Sequence, residues 1–107
     1  MNDAERRAAR WYRLRGWRVL GTNVWAGRNE IDLIVRRGGH LRFVEVKEKR
    51  GALYGDPVEA VDEEKQRRVR RAAATWLAGR PDLASLRVAF DVVAVREGKL
   101  ERLGDAF

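Results

Sequence analysis

Residues 30–47 of the 107-residue chain decide its fold, and they read EIDLIVRRGGHLRFVEVK. Apolar and β-branched residues dominate residues 30–36 and 41–47, a composition typical of β-strands. The segment 37–40 between them holds two adjacent glycines and predicts a tight turn. Strands joined by so short a turn pair in antiparallel fashion. The sequence therefore predicts a hairpin whose two strands carry charged side chains among apolar ones.

The segment before this hairpin adds a helix and a strand. The helix is indicated by apolar residues at helical spacing, namely Ala4, Ala8, Trp11, Tyr12 and Leu14. We expect Asp3 to cap this helix and Gly16 to end it. Aromatic and β-branched residues at 17–24 predict a first strand, and residues 26–29 predict the turn that joins it to the hairpin.

The segment after the hairpin predicts a second helix and two more strands. Residues 48–56 hold two glycines and little that could pack, so we expect a mobile surface loop. A helical region opens at Pro57, and its long pattern covers residues 62–78. Strand patterns follow at 86–95, predicted to be buried on both faces, and at 100–103. The predicted fold class is α/β: an αβββαβ core in one domain, with helices flanking a mixed central sheet.

The charge balance favours a polyanionic partner. Lys and Arg number 23 against 16 Asp and Glu, a net charge of +7. Cations that neutralise phosphates release condensed counterions, which favours nucleic-acid binding, although the same charge could simply keep the surface solvated. There is no cysteine, so disulfides and thiolate metal sites are excluded. No apolar run suits a signal peptide or a membrane span, so we expect a cytoplasmic protein with no membrane partner.

Charged side chains converge on the predicted hairpin. Alternate residues of a strand share a face, so Glu30 and Asp32 point one way, and Glu45 and Lys47 do likewise on the next strand. Carboxylates among apolar residues are costly unless something compensates them, and one lysine does not balance three acids. A divalent cation would. The alternative is a solvated face on which opposite charges pair across strands.

On the first interpretation the hairpin holds Mg²⁺ or Mn²⁺. The ligands would be Asp32, Glu45 and the main-chain carbonyl of Val46, since magnesium takes carboxylate and carbonyl oxygens. The metal would polarise a phosphoryl oxygen and lower the pKa of its bound water. Lys47 could orient or deprotonate that water, or stabilise the charge that develops on the phosphate.

Basic residues beyond the hairpin could contact a phosphate backbone. They are Lys49 and Arg50 in the predicted loop and Lys65, Arg67, Arg68, Arg70 and Arg71 in the second helix. The alternative is a solvated helix face on which Glu63 and Glu64 pair at i,i+4 with arginines. Trp25 lies beside a turn and is the tryptophan best suited to base stacking.

The order of these motifs resembles the PD-(D/E)XK nuclease superfamily and, more closely, the YraN-like bacterial family, a relative of archaeal Holliday junction resolvases. The matching segments are Ala4-Glu5, Gly16 with Asn23, 29–34, 43–47, 54–57, 59–61, Lys65 and 91–93. The resemblance implies a restriction-endonuclease-like core, DNA as the substrate and, by analogy with related resolvases, a homodimer.

The resemblance also implies roles for single residues. Asp32 takes the position of the metal-binding aspartate, Glu45 that of the second acid and Lys47 that of the lysine. Glu5 matches an acid that related resolvases bring from the first helix, and Glu30 is an additional acid. Three positions depart from the family pattern. Asn29 stands where glycine is usual, and Glu48-Lys49 stands where threonine and arginine are usual, which bears on substrate preference.

The hypothesis that follows is a metal-dependent nuclease that hydrolyses phosphodiester bonds in DNA, with branched or damaged structures as its targets. One alternative is a nucleic-acid-binding module that keeps the fold without turnover. Another is an interaction protein whose basic surface meets an acidic partner. Retention of Asp32, Glu45 and Lys47 together favours the enzyme, because binding alone needs no buried acids.

Overall fold

The structure, a computed structural model, describes residues 1–49 and 61–107. Its helices are α1 (Asp3–Leu14) and α2 (Glu63–Ala78), and a short 3-10 helix, Pro81–Leu83, follows α2. Its strands are β1 (Arg18–Ala26), β2 (Asn29–Arg37), β3 (His40–Lys49), β4 (Arg87–Arg96) and β5 (Lys99–Leu103). The predicted order of elements is confirmed.

The strands form one mixed sheet in the order β1-β2-β3-β4-β5. Strands β3 and β4 are parallel, and the other neighbours in the sheet are antiparallel. The parallel pair follows from the chain between its strands, because a connection that contains a helix can cross over and re-enter the sheet in the same direction. The predicted α/β class, with helices flanking a mixed sheet, is confirmed.

Each helix covers one face of the sheet. Tyr12 of α1 packs with Leu33 and Val93 on one face, and Trp76 of α2 packs with Ile34 and Phe43 on the other. Burying large apolar side chains such as these contributes roughly 1.5–3 kcal/mol each. The two cores hold the helices in place, so that the N-terminal ends of both can carry polar side chains to the same end of the sheet. Within the described residues, no helix is long and apolar enough to cross a membrane.

The N-cap of helix α1 lies one residue earlier than predicted. Asn2, not Asp3, is the N-cap, and its side chain accepts a hydrogen bond from the main-chain N–H of Glu5. In return, Glu5 accepts a hydrogen bond from the N–H of Asn2 at 2.8 Å. This is a capping box, which asparagine with glutamate three residues later can form and aspartate followed by arginine cannot. Glu5 is thereby held at the start of the helix.

The predicted loop after β3 is wrong at its first two residues. Glu48 and Lys49 continue the strand, opposite Val95 and Arg96 of β4. Strand pairing between distant segments, not local composition, extends β3. The rest of that loop and the helical region predicted from Pro57 lie outside the described residues.

Two further expectations are corrected by the burial pattern. Strand β4 is buried on both faces only from Asp91 to Val95, whereas its first residues, including Val88, are exposed at the rim of the sheet. Leu14, expected in the apolar stripe of α1, is 71% exposed, because it lies roughly 200° around the helix from the buried Tyr12 and so faces away from the core. Trp17, in contrast, is buried against the α1 core.

Candidate active site

The sheet divides at the residues that the sequence singled out. Strands β2 and β3 pair from their connecting turn only as far as Leu33 and Val44. Beyond that point β2 stays paired with β1, while β3 stays paired with β4. The next residues on the two separating strands are Asp32 and Glu45. Both acids therefore lie where the sheet opens and where groups from either face can reach them.

One hydrogen bond spans this opening. The side chain of Asp32 accepts the main-chain N–H of Val46 at 2.8 Å, in a place where no strand pairing continues. The Val46 side chain packs against the α1 core, which fixes that part of β3. Asp32 itself is half-buried. The carboxylate is thus held at a defined place relative to the strand that carries Glu45 and Lys47.

Three carboxylates meet on the α1 side of the opening. Oxygens of Glu5, Glu30 and Asp32 all lie within 4.8 Å of one another, a spacing that could hold a metal ion. Glu5 is buried, Asp32 is half-buried and Glu30 is exposed. Strand alternation alone predicted that Glu30 and Asp32 share a face, whereas only the family resemblance pointed to Glu5.

Asn23 holds two of these acids and was given no role from the sequence. Its side-chain amide donates to Oε2 of Glu5 at 2.8 Å and to Oε1 of Glu30 at 3.0 Å. Its backbone has a positive φ of 49°, a conformation that asparagine tolerates better than most residues. Position 23 matches the family pattern, but its function depends on a backbone conformation that the strand-like composition of β1 does not reveal.

Glu45 is a buried acid with an unsatisfied oxygen. Its side chain is 1% exposed, and Oε1 accepts no hydrogen bond. Lys65 Nζ of α2 lies 3.3 Å from Oε1 and forms an ion pair with it. A buried carboxylate oxygen without a donor is costly, and a cation would satisfy it.

Burial and mutual repulsion disfavour ionisation of this pair of acids. Burial, and then the neighbouring Asp32, raise the pKa of Glu45 to about 8, while Lys65 acts in the opposite direction. Burial also raises the pKa of Asp32. In the absence of a metal ion, and with Lys65 as the one neighbouring cation among the described residues, the pair therefore keeps a proton at neutral pH. A divalent ion among these oxygens would displace that proton, because metal ligands bind in their ionised form.

The donor set fits a hard cation. Carboxylate oxygens of Asp32 and Glu45 face the opening, Glu5 and Glu30 add further oxygens on one side, and Mg²⁺ or Mn²⁺ prefers such ligands. The unsatisfied Oε1 of Glu45 is the atom that most directly requires such an ion. Asp32 belongs to both groups of acids, since it neighbours Glu45 and also lies in the cluster with Glu5.

The two lysines of the site have different surroundings. Lys47 is half-buried on β3, and within residues 1–49 and 61–107 its ammonium forms no hydrogen bond or ion pair. Lys65, predicted among the nucleic-acid contacts, lies against the buried Glu45. Lys47 is therefore the ammonium that remains available to a ligand entering the opening.

The arginines of α2 are all exposed: Arg67, Arg68, Arg70 and Arg71. Arg70 donates to the main-chain carbonyl of Phe107 at 2.9 Å. For the other three, the described part of the chain offers no ion pair or hydrogen bond, and the alternative pairing with Glu63 and Glu64 is not found there. Lys49 is half-buried at the end of β3, and Arg50 lies outside the described residues.

Comparisons with known proteins agree on one family. A model described as "Uncharacterised protein family UPF0102" matches residues 4–95, a range that includes all the acids and lysines of the site. The UPF0102 protein YraN of Escherichia coli (strain K12 / DH10B) is 41% identical over 106 residues, covering 96% of this chain and 79% of that protein.

Two further relatives show similar identity. A UPF0102 protein of Rhodococcus opacus is 44% identical over 106 residues, covering 94% of this chain and 88% of its own length. The UPF0102 protein STH1475 of Symbiobacterium thermophilum is 46% identical over 99 residues, covering 92% of this chain and 83% of its own. The chain therefore belongs to the UPF0102 family.

Proposed function

We propose that this protein is a metal-dependent nuclease of the PD-(D/E)XK superfamily that hydrolyses phosphodiester bonds in DNA, including branched or damaged structures. The observation that carries the proposal is the unsatisfied Oε1 of Glu45, buried beside Asp32 at the opening of the sheet. Buried polar atoms in folded proteins are nearly always hydrogen-bonded, so an acceptor oxygen without a donor needs an explanation. A site that binds a cation provides one.

The position of each residue in the site suggests its role in the proposed reaction. Asp32 and Glu45, with the main-chain carbonyl of Val46, would hold Mg²⁺ or Mn²⁺, which supplies polarisation of a phosphoryl oxygen and a more acidic bound water. The bond from the Val46 N–H keeps the Asp32 carboxylate turned toward β3. Lys65 partly balances the charge of Glu45, so that the buried acid ionises more easily.

Lys47 is the proposed catalytic base or electrostatic stabiliser. Alternation along β3 places it on the same face as Glu45, and no acid in the described chain neutralises it. As the neutral amine it can accept a proton from the attacking water, and as the ammonium it can orient that water or donate to a phosphate oxygen as negative charge develops. Glu5 and Glu30 would complete the acidic side of the site, held by the amide of Asn23.

The proposed substrate is a polyanion because of the charge that surrounds the site. The chain carries a net +7, and Arg67, Arg68 and Arg71 stand exposed on α2 without partners in the described residues. Arginine grips phosphate oxygens through two hydrogen bonds. The choice of DNA rests on the resemblance to resolvases, which also suggests that two copies act together on a near-symmetric branched substrate.

The test is cleavage of a labelled panel: duplex, single strand, flap, four-way junction and RNA, each with Mg²⁺, Mn²⁺ or EDTA. Wild type is compared with Lys47→Ala and with Lys99→Ala, which removes an exposed lysine of β5. We expect metal-dependent cutting that Lys47→Ala abolishes and Lys99→Ala leaves unchanged. Cutting that survives in Lys47→Ala would point to a contaminant and reject the proposal.

Binding without cutting would instead favour a second function, a nucleic-acid-binding module. The exposed arginines of α2 favour that function independently of the acids, because phosphate contacts need no metal. In that case Lys47→Ala and Asp32→Asn should leave the affinity for nucleic acid unchanged, while loss of the arginines should weaken it.

A further inference from the structure

Trp25 is a large aromatic side chain that packs in neither hydrophobic core. It is 72% exposed, whereas Trp17 and Trp76 are buried in the two cores and Trp11 packs against one of them. Burying an indole is among the largest single contributions that a side chain makes to a core. A tryptophan left in water therefore calls for a reason outside the packing of the sheet.

Trp25 stands beside the acidic cluster. Its partner across the β1–β2 hairpin is Glu30, whose carboxylate lies with those of Glu5 and Asp32. Residues directly opposite in an antiparallel pair share a face, with Cβ atoms about 5 Å apart. The indole is thus a neighbour of the acidic cluster of Glu5, Glu30 and Asp32, on the face of the sheet that Glu30 occupies.

The β1–β2 hairpin that carries Trp25 packs against α2 on the face opposite the indole. Val24 and Ala26 pack against the α2 core, and alternation turns the Trp25 side chain to the opposite face. Gly27 in the turn lies so close to α2 that a Cβ there would come within 3.0 Å of the Cα of Ala72 and Oγ1 of Thr75. The backbone that carries the Trp25 indole is therefore held in place by α2.

A cation stands at the same hairpin tip. Arg28 is exposed in the turn and has no partner in the described residues. Acids that can hold a metal, an exposed flat ring and an arginine follow one another along the hairpin. In a nucleic acid each base is attached to the sugar between two successive phosphates, and aromatic side chains beside cations are a general means of holding unpaired bases.

We propose that Trp25 stacks on an unpaired nucleobase next to the scissile phosphodiester, so that the substrate has a single-stranded segment at the point of cleavage. In a continuous duplex both faces of every base are covered by its neighbours, and an indole at the protein surface finds no free face. This inference rests on the proposed nuclease function and names the substrate class of that site. A flap, an overhang or the open centre of a branched molecule would satisfy it.

The experiment measures binding separately from cleavage. Fluorescein-labelled oligo(dT), oligo(U), a blunt duplex and a flap are titrated in Ca²⁺, with cutting checked in parallel. The proteins are wild type, Trp25→Ala, Trp25→Phe and Leu14→Ala, the last removing another exposed apolar side chain from the far end of α1. Thermal unfolding of each variant confirms that the fold is kept.

We expect Trp25→Ala to weaken binding of the single strands and the flap roughly tenfold, from the usual strength of base–aromatic stacking. Duplex binding should change less than about twofold, Trp25→Phe should keep most of the affinity because phenylalanine also stacks, and Leu14→Ala should match wild type. Single strands should quench the tryptophan fluorescence of wild type but not that of Trp25→Phe. Comparing oligo(dT) with oligo(U) shows whether the sugar matters beside the base.

Equal weakening on duplex and single strand, or none on either, would overturn the inference. So would a dimer that dissociates in Trp25→Ala while oligonucleotide binding is unchanged, because the indole would then serve self-association. Failure of the nuclease proposal looks different: no metal-dependent cutting by wild type, whatever the effect of Trp25→Ala on binding. Cutting that depends on Lys47 but not on Trp25 would reject the stacking role alone.

Discussion

The carboxylate of Asp32 accepts the main-chain N–H of Val46 at 2.8 Å across the point where β2 and β3 separate. In a continuous sheet, a carbonyl of the neighbouring strand would accept that N–H. Here a side chain does so, and the sheet opens without leaving a buried donor unpaired. The same hydrogen bond fixes Asp32 relative to Glu45 on β3. One contact therefore both satisfies the main chain where the sheet opens and positions the two acids.

Replacing Asp32 with asparagine removes the charge of this side chain while keeping its shape. Asp32→Asn can still accept the Val46 N–H through its amide oxygen, so we expect an unchanged fold. Affinity for Mg²⁺ should fall at least about tenfold, since even the partners that only orient metal ligands are worth 10–100-fold. Isothermal titration calorimetry measures this. Asp82→Asn, at the exposed 3-10 helix, is the control, and unchanged affinity in Asp32→Asn would reject its role as a ligand.

The second prediction concerns the pH dependence of stability without metal. Burial and Asp32 raise the pKa of Glu45 from an ordinary 4.5 to about 8. A group whose pKa is higher in the folded state contributes stability that is fully present below its unfolded pKa and is lost as pH rises through the folded one. The melting temperature in EDTA should therefore fall between about pH 4.5 and pH 8.

Magnesium should reverse this trend. Because the ion binds ionised carboxylates, its stabilising effect should be larger at pH 8.5 than at pH 6. Glu45→Gln should flatten the pH dependence and lose the response to magnesium, whereas Glu101→Gln on exposed β5 should behave as wild type. A melting temperature in EDTA that stays level from pH 5 to pH 8.5 would contradict the prediction.

The third prediction separates the two roles of Asn23. Asn23→Gly keeps the positive φ at no steric cost but removes the amide that holds Glu5 and Glu30. We expect it to lose up to about 2 kcal/mol of stability, since two hydrogen bonds of about 1 kcal/mol each are removed, and to bind Mg²⁺ several-fold more weakly. Asn23→Ala should lose the amide and, in addition, about 1–2 kcal/mol from left-handed backbone strain.

Urea unfolding and metal titration of both variants check this. If Asn23→Gly and Asn23→Ala are equally stable, the backbone strain at position 23 is not significant. If neither changes the affinity for magnesium, the amide does not position the acids of the site.

The sequence predicted the strands well because their signals are local. Glycine turns at 38–39 and alternation along β2 and β3 need no knowledge of the rest of the chain. The contact of Glu5 with Asp32 could not be predicted in that way, because helical periodicity does not say which strand the start of α1 reaches. Only the family resemblance pointed to it.

The role of Asn23 and the extension of β3 were not predicted from the sequence, for related reasons. The role of Asn23 depends on one left-handed residue inside a strand-like segment, which composition does not reveal. Residues 48–49 are strand only because β4, far along the chain, provides a parallel partner for them. The ion pair of Lys65 with Glu45 depends on the crossover that packs α2 on the sheet, which the local pattern of α2 does not specify.

The last prediction tests the arginines of α2 as a phosphate-binding surface. Replacing Arg67, Arg68 and Arg71 with glutamine leaves Arg70 to hold Phe107. For B-DNA, the slope of log affinity against log salt concentration is about 0.9 for each phosphate neutralised, so three lost contacts should flatten it by up to about 2.7 and weaken binding most at low salt.

A matched control changes the net charge equally at another place. Arg6, Arg10 and Arg13 are exposed on α1, and replacing all three with glutamine also removes three positive charges. If the two triple variants lose the same slope, the effect is one of net charge, and α2 is not a specific surface. If only the α2 variant loses it, the nucleic acid passes over α2. Fluorescence anisotropy on one duplex and one single strand, from 50 to about 300 mM salt, decides between them, because the salt slope counts phosphate contacts independently of base readout.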